Sequence, residues 1–291
     1  MRLSVIIPTL NAAHCIEKLV QALLNQKVVP DEILIVDSQS EDGTACMTAA
    51  LPKVKLVQIR RSEFDHGGTR DMALRISSGE IVVFMTQDAL PTNEHFLERL
   101  IAPLEDPCVA AVGGRQVAYP DARPFEQLVR SFNYPEEDRV WCGKDIQQLG
   151  VKAFLISDVC AAYRRAAYLA VGGFDHPILT NEDMLMAERL LHAGYKLAYA
   201  GKAEVYHSHR FTLRQEYRRN LLIGRTMKRY EARFEHVQEM GTGMALAKNV
   251  LFTLFRERHV WECSCFCANC TARMLGNRVG RILEMRQRKL E

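Results

Sequence analysis

Over the first 115 residues, short apolar runs alternate with segments whose apolar residues recur at helical spacing, and no other feature limits the fold as tightly. RLSVIIPTLN reads as a buried strand stopped by Pro8, AAHCIEKLVQALLNQ as a helix, and DEILIVDSQSEDGT as a second strand running into a polar turn. TACMTAALPK then reads as a short helix, VKLVQIRR as a third strand, GGTRDMALRISSG as a helix opened by glycines, and EIVVFMTQDALP as the fourth strand. That order predicts an α/β fold, a mostly parallel Rossmann-like sheet with helices on both faces.

In such sheets ligands bind beyond the carboxyl ends of the strands. Thr9, Asp37 and Asp88 all fall there, from segments far apart in the sequence, and are expected to converge on one crevice. Asp88 is the clearest of them: the apolar run Ile81–Met85 passes without a spacer into Thr86, Gln87 and Asp88, and Pro91 then stops the ladder. Taken singly, each polar residue would serve equally as the cap of the helix that follows.

After Val109 the pattern loosens. AAVGGRQV reads as a strand, residues 119–145 as a long polar and aromatic connection, and KAFLISDVCAAYRRAAYLAVGGF as a mixed segment completing the same core. From about residue 212 the sequence turns helical and basic, with Gly241 and Gly243 as its clearest break. The expected division is a catalytic domain over residues 1–212 and a helical appendage over 213–291.

Charge separates the same two parts. Residues 1–204 carry roughly six net negative charges and residues 205–291 roughly nine net positive ones. An acidic N-terminal part is a poor nucleic-acid surface, so no nucleic acid is expected as partner, whereas the basic third suits an anionic membrane surface. No run approaches the roughly 20 apolar residues of a membrane span, and a strand pattern begins at Leu3, which predicts a cytoplasmic protein, at most peripheral to the membrane. Nine cysteines without an export signal are expected to be reduced. Four of them fall in CSCFCANC; Cys263, Cys267, Cys270 and Met274 recur at helical spacing beside Phe266, which suits thiols buried at a helix interface better than a zinc site.

The turn PTLNAAH lacks the glycines of a dinucleotide site, and no GxxxxGK loop is present. Instead SVIIPTLNA, VDSQSEDGT, GGTRDMAL, FMTQDALP and NEDMLMAERLLHAGYKL, in this order and spacing, resemble family 2 glycosyltransferases of the GT-A fold over about residues 1–210. FDHGG, TQDA and VYHSHRFTLRQEYRR resemble the rhamnosyltransferase branch, whose donor is dTDP-rhamnose. The resemblance implies an inverting transfer to a glycan or undecaprenyl-linked acceptor in cell-envelope polysaccharide synthesis. A UDP-hexose-dependent enzyme and a catalytically impaired sugar-nucleotide-binding protein remain as alternatives.

The resemblance also assigns residues. Asp37 matches the acid that accepts from the ring N–H of uracil or thymine, and Pro8, Thr9, Asn11, Gln87 and Glu182 join the nucleotide-sugar set. Thr86–Asp88 matches the DxD motif that holds Mg²⁺ or Mn²⁺ against the diphosphate, with Thr86 in place of the first aspartate and His207 or His209 as a further ligand. Arg70 is expected to meet the diphosphate at a helix N-terminus, although Asp71 departs from the asparagine usual after it. Asp183, at a helix start where a plain cap would also fit, matches the base that takes the acceptor proton. A helix N-terminus favours the anion, so an ionised Asp183 is expected near neutral pH.

Overall fold

A computed structural model describes residues 1–235, 237 and 242–288. The N-terminal alternation folds as β1 (Leu3–Thr9), α1 (Ile16–Leu24), β2 (Glu32–Asp37), α2 (Thr44–Ala49), β3 (Val54–Gln58), α3 (His66–Ile76) and β4 (Ile81–Met85). β5 (Leu90–Pro91), α4 (Phe96–Ile101) and β6 (Val109–Val117) follow, then α5 (Pro124–Asn133), β7 (Arg139–Trp141), α6 (Ile146–Leu149), β8 (Cys160–Arg164), α7 (Arg165–Ala170), α8 (Glu182–His192) and β9 (Lys196–Tyr206). The chain closes with α9 (Leu213–Arg229), α10 (Thr242–Arg256) and α11 (Val260–Arg288).

The nine strands form one sheet in the order β3-β2-β1-β4-β8-β6-β9-β5, with β7 on β9. The first four strands are parallel; β8 runs antiparallel between β4 and β6, and β6 and β9 are parallel again. Strand periodicity explains why the runs are apolar throughout. Val5, Ile7, Ile33, Ile35 and Val83 pack on one face with α1 and α4. Ile6, Leu34, Val36, Val82 and Phe84 pack on the other with α3, α8, Tyr163 and Tyr168.

The connection expected over residues 119–145 is instead interrupted by α5 and β7. Pro124 opens α5, where its missing N–H costs nothing, and Phe125, Leu128 and Val129 form a short apolar face. That face finds its partners more than 100 residues later, in Val250, Leu254 and Phe266 of α10 and α11. Phe266 also sets which thiols are covered. Cys263, Cys265 and Cys270 pack around it, whereas Cys267 is exposed and Met274 is half exposed, so the expected Cys263–Met274 face is only partly the buried one. All nine cysteines are free thiols. Gly243 falls inside α10; Gly241, the other expected break, lies outside the described residues.

α9 and α11 meet through glycine. A Cβ placed on Gly224, Gly276 or Gly280 would lie 2.2, 2.3 or 2.1 Å from the carbonyl oxygens of Asn277, Tyr217 and Leu221, so the two backbones touch. Arg225 and Arg229 of α9 converge on the buried Glu284 of α11 at 3.0 and 2.6 Å. Gly280→Ala must therefore push the helices apart, and overpacking of this kind costs about 1–3 kcal/mol. A fall in Tm of about 5 °C is expected from thermal unfolding; an unchanged Tm would mean that the pair does not hold this part of the fold together.

Candidate active site

The carboxyl ends of β1, β2 and β4 lie side by side, as their pairing requires: Thr9 is opposite Asp37, and β1 continues beside β4. Gln87 closes the gap with two bonds to one residue, its Oε1 accepting from the Leu10 N–H at 2.8 Å and its Nε2 donating to the Leu10 carbonyl at 3.1 Å. Beside it opens a cavity of about 370 Å³, lined by Pro8, Thr9, Ser38, Phe64, Arg70, Thr86 and Gln87 among others. The volume suits a nucleoside. Thr86 lines the cavity and has a buried hydroxyl oxygen without a protein partner, although it occupies the position expected to carry a carboxylate. A buried orphan hydroxyl is costly unless a ligand satisfies it.

Asp37 sits beneath this cavity and does not line it. Its carboxylate is fully buried and accepts from Thr9 Oγ1 at 3.2 Å, Ser40 Oγ at 2.5 Å and the Ser40 N–H at 3.0 Å. Asn11 does local work too, accepting from the Glu41 N–H at 2.9 Å in a left-handed backbone conformation. Both shape the turn of residues 38–41.

Arg70 is not free at a helix N-terminus. It lies in the second turn of α3, is 5 % exposed, and binds Glu182 at 3.1 Å and the His66 carbonyl at 3.0 Å, with Asp158 3.8 Å away. Glu182, expected among the donor-binding residues, is the buried half of this pair. The sequence gives no sign of such pairing, because the partners are separated by 112 positions.

Past the end of β4, Asp88 faces two imidazoles. His209 Nδ1 is 3.3 Å and His207 Nε2 3.6 Å from its carboxylate, and the three ligand atoms lie within 4.8 Å of one another. His207 is buried, and its Nδ1 lies 3.0 Å from Gln116 Oε1. An amide oxygen only accepts, and in the tautomer that donates Nδ1–H to it the Nε2 lone pair faces Asp88. Burial first, then Arg130 and His209, hold His207 well below the ordinary histidine range, so the ring is neutral. A neutral imidazole, a second imidazole and a carboxylate facing one another form a donor set for a divalent cation, and the mixture of nitrogen and oxygen suits Mn²⁺ better than Mg²⁺.

Asp183 sits at the start of α8, where Asn181 adopts a left-handed conformation and makes no side-chain cap. Its Oδ1 accepts from the Met184 N–H at 2.8 Å and its Oδ2 from the Asp158 N–H at 3.4 Å. The expected dominance of the helix terminus does not hold: burial, followed by the charge of Glu182, raises this carboxyl from 3.8 to about 7. Asp158, which sequence reading missed, is buried beside it, accepts from Tyr163 Oη at 2.8 Å, and is pushed well above the usual range by burial and by its acidic neighbours. Its only signal was a lone acid between the apolar stretches FLI and VCAAY, the same pattern that marks Asp88.

Residues 157–159 join these groups. Gln116, which orients His207, donates to Ser157 Oγ at 3.0 Å; the Asp158 N–H reaches Asp183; and the Val159 carbonyl accepts from the Thr86 N–H at 3.2 Å. The cavity, the Asp–His–His cluster and Asp183 therefore border one region at one end of the sheet.

A mixed sheet with acids at its strand ends, a nucleoside-sized cavity and an adjoining cation-competent cluster defines a GT-A-type nucleotide-sugar transferase. The chain belongs to glycosyl transferase family 2, whose family model matches residues 4–172, and it is a glycosyltransferase. It is 36 % identical over 220 residues to the O-antigen chain rhamnosyltransferase RfbN of Salmonella typhimurium, covering 75 % of this chain and 70 % of that one. With WbaN of Salmonella anatum, also an O-antigen chain rhamnosyltransferase, it shares 40 % over 218 residues, 74 % of this chain and 69 % of that one. Among solved structures, the mannosyltransferase PcManGT of Pyrobaculum calidifontis, in complex with GDP-Man and Mn²⁺, superposes with a TM-score of 0.66 at 20 % identity, over 98 % of this chain and 87 % of that one. Residues 1–349 of TarS from S. aureus, in complex with UDP-GlcNAc, superpose with a TM-score of 0.57 at 17 % identity, over 100 % and 93 % of the two chains. At these identities the structural likeness speaks for the fold alone.

Proposed function

We propose that this enzyme transfers L-rhamnose from dTDP-rhamnose, with inversion, to a hydroxyl of a glycan or lipid-linked glycan during the synthesis of an O-antigen-type envelope polysaccharide. The observation that carries the reading is the link from the Asp88–His207–His209 cluster through residues 157–159 to Asp183, supported by the likeness to two O-antigen rhamnosyltransferases. The catalytic chemistry belongs to residues 1–212 and acceptor handling to residues 213–291.

In this reading the thymidine enters the cavity between β1, β4 and α3, where Pro8 and Thr9 form one wall and the unpartnered Thr86 hydroxyl meets a polar group of the donor. Asp37 and Asn11 hold the adjoining turn, Asp37 from beneath the cavity through its bonds to Thr9 and Ser40. Asp88, His207 and His209 would hold the cation, which when bound supplies Lewis-acid stabilisation of the departing diphosphate. Asp183 removes the acceptor hydroxyl proton as that oxygen bonds to the anomeric carbon and the carbon–phosphate oxygen bond breaks, releasing dTDP. A carboxylate with its pKa near 7 is a better base than an ordinary one and is about half ionised near neutral pH. The Arg70–Glu182 pair locks α3 to α8 and so fixes where Asp183 stands.

The test is a donor panel with Mn²⁺. Release of dTDP from dTDP-rhamnose, at a rate at least about tenfold above release of UDP from UDP-hexoses, is the expected result. Faster turnover of a UDP-hexose would transfer the assignment to that donor, and no turnover of any donor would support a protein that binds sugar nucleotides without transferring the sugar.

A lipid-linked acceptor calls for contact with the bilayer. Among the described residues no helix is long and apolar enough to cross a membrane. The surface-seeking role expected of the helix after residue 211 is better placed elsewhere, since α9 lies against α11 and its Arg225 and Arg229 are bound to Glu284. The corner between α10 and α11 exposes Phe252, Phe255, Val260 and Trp261, with Arg256 and Arg258 among them, a combination suited to an anionic interface. The triple variant F252S/F255S/W261S is expected to lose at least about tenfold in co-sedimentation with phosphatidylglycerol vesicles; equal binding by variant and parent would remove the corner from the membrane.

A further inference from the structure

A second cavity of about 210 Å³ opens between α5, residues 207–211, α9 and α11, and shares no lining residue with the nucleoside cavity. Three guanidinium groups meet in it, Arg130 from α5, Arg219 from α9 and Arg273 from α11. Arg130 is the innermost. It donates to Gln116 Oε1, lies 3.4 Å from His207 Nδ1, and has no carboxylate within 4.0 Å among the described residues. Arg219 stands at the rim with its charge 5.7 Å from the Phe211 ring and likewise lacks a carboxylate at that distance among the described residues. Arg273, also exposed, reaches Glu216 only at 3.9 Å.

The three arginines outnumber the two carboxylates, Glu126 and Glu216, that line the cavity with them. Glu126 is not hydrogen-bonded to any of them, and one of its oxygens is buried without a partner. Like charges brought together at a half-dry concave surface are stabilised by an anion, and a fork of guanidiniums fits phosphate oxygens in particular.

We propose that Arg130, Arg219 and Arg273 bind a phosphate or diphosphate group carried by the acceptor, in the cavity that adjoins the Asp88–His207–His209 cluster where the donor's diphosphate is read to sit. The proposal rests on the glycosyl-transfer reading for the word acceptor, but the site itself stands on the arginines. Two of the three come from helices beyond the region matched by the family model, and α11, which carries Arg273, also carries Val260 and Trp261 of the exposed aromatic corner. His207 and His209 line the cavity as well, so a ligand anchored here by its phosphate would hold its sugar beside the reacting centre.

Geranyl phosphate titrated into the full-length protein, with and without saturating dTDP and with geraniol as control, tests the site. Binding that depends on the phosphate, persists within about twofold when dTDP is present, and weakens at least about tenfold in R219Q/R273Q while dTDP affinity is unchanged is the expected result. Both substituted residues are exposed, so the fold is not at stake. Competition with dTDP would return the arginines to the donor and overturn the proposal. Absent binding, or equal binding by the double variant, would overturn the site altogether. Failure of dTDP to bind would count against the donor reading alone, because the geranyl phosphate comparison does not depend on it.

Discussion

Asp183→Asn is expected to lower the turnover of dTDP-rhamnose by about 10²–10⁴-fold, the usual contribution of a general base, while leaving dTDP affinity within about twofold. Asparagine keeps one oxygen that can accept from the Met184 N–H, so the start of α8 survives, while the proton acceptor and the long 3.4 Å bond from the Asp158 N–H are lost. In the parent the rate is expected to fall as pH drops through about 7, because Asp183 is then protonated; a pH profile flat from 5.5 to 8 would deny it the role. Stability moves in the opposite sense. A carboxyl raised in the folded state contributes stability that is complete below its ordinary 3.8 and is lost as pH rises through about 7. Asp183→Asn should therefore unfold at a higher temperature than the parent at pH 8, with the gap closing toward pH 4. A variant that is less stable at pH 8 would show that the negative charge is structurally required there.

Asp88→Asn is expected to reduce turnover at least about 100-fold and to abolish its dependence on Mn²⁺, since the only carboxylate of the cluster is removed. His209→Ala, which leaves Asp88 and the buried His207 in place, should raise the Mn²⁺ concentration needed for half-maximal activity by about 10–100-fold with less effect at saturation. Parent enzyme that keeps full activity in EDTA would remove the cation from the mechanism. Full activity of Asp88→Asn would show that the residue at the end of β4 serves the loop and not the reaction.

What could be read from the sequence, and what could not, follows from where the information lies. Ile81–Met85 ending in Thr86–Asp88 is a local pattern, and the chain folds it into a buried strand with Asp88 at its end. The NEDMLMAERLL acids are at a helix start for the same reason. α5 is hidden because the face of Phe125, Leu128 and Val129 is too short to declare a helix until α10 and α11 cover it. Arg70 and Glu182 were read as free ligands because pairing across 112 positions leaves no periodic trace, and Asp158 was passed over because one acid in an apolar stretch looks like the edge of a loop. His209 was weighed against His207, whereas the structure sets both beside Asp88. Helix-terminus reasoning put Asp183 on the acidic side of neutrality, and only the packing around it shows that desolvation and Glu182 outweigh the terminus.

The touching backbones of α9 and α11 bear on selectivity. With no side chains between them at Gly224, Gly276 and Gly280, neither helix can slide or tilt without the other, and the span from Arg219 to Arg273 is set by the main chain. Such a frame works as a calliper for the acceptor reading proposed above: a substitution that changes the helix spacing would change the headgroup width that the two arginines can grip.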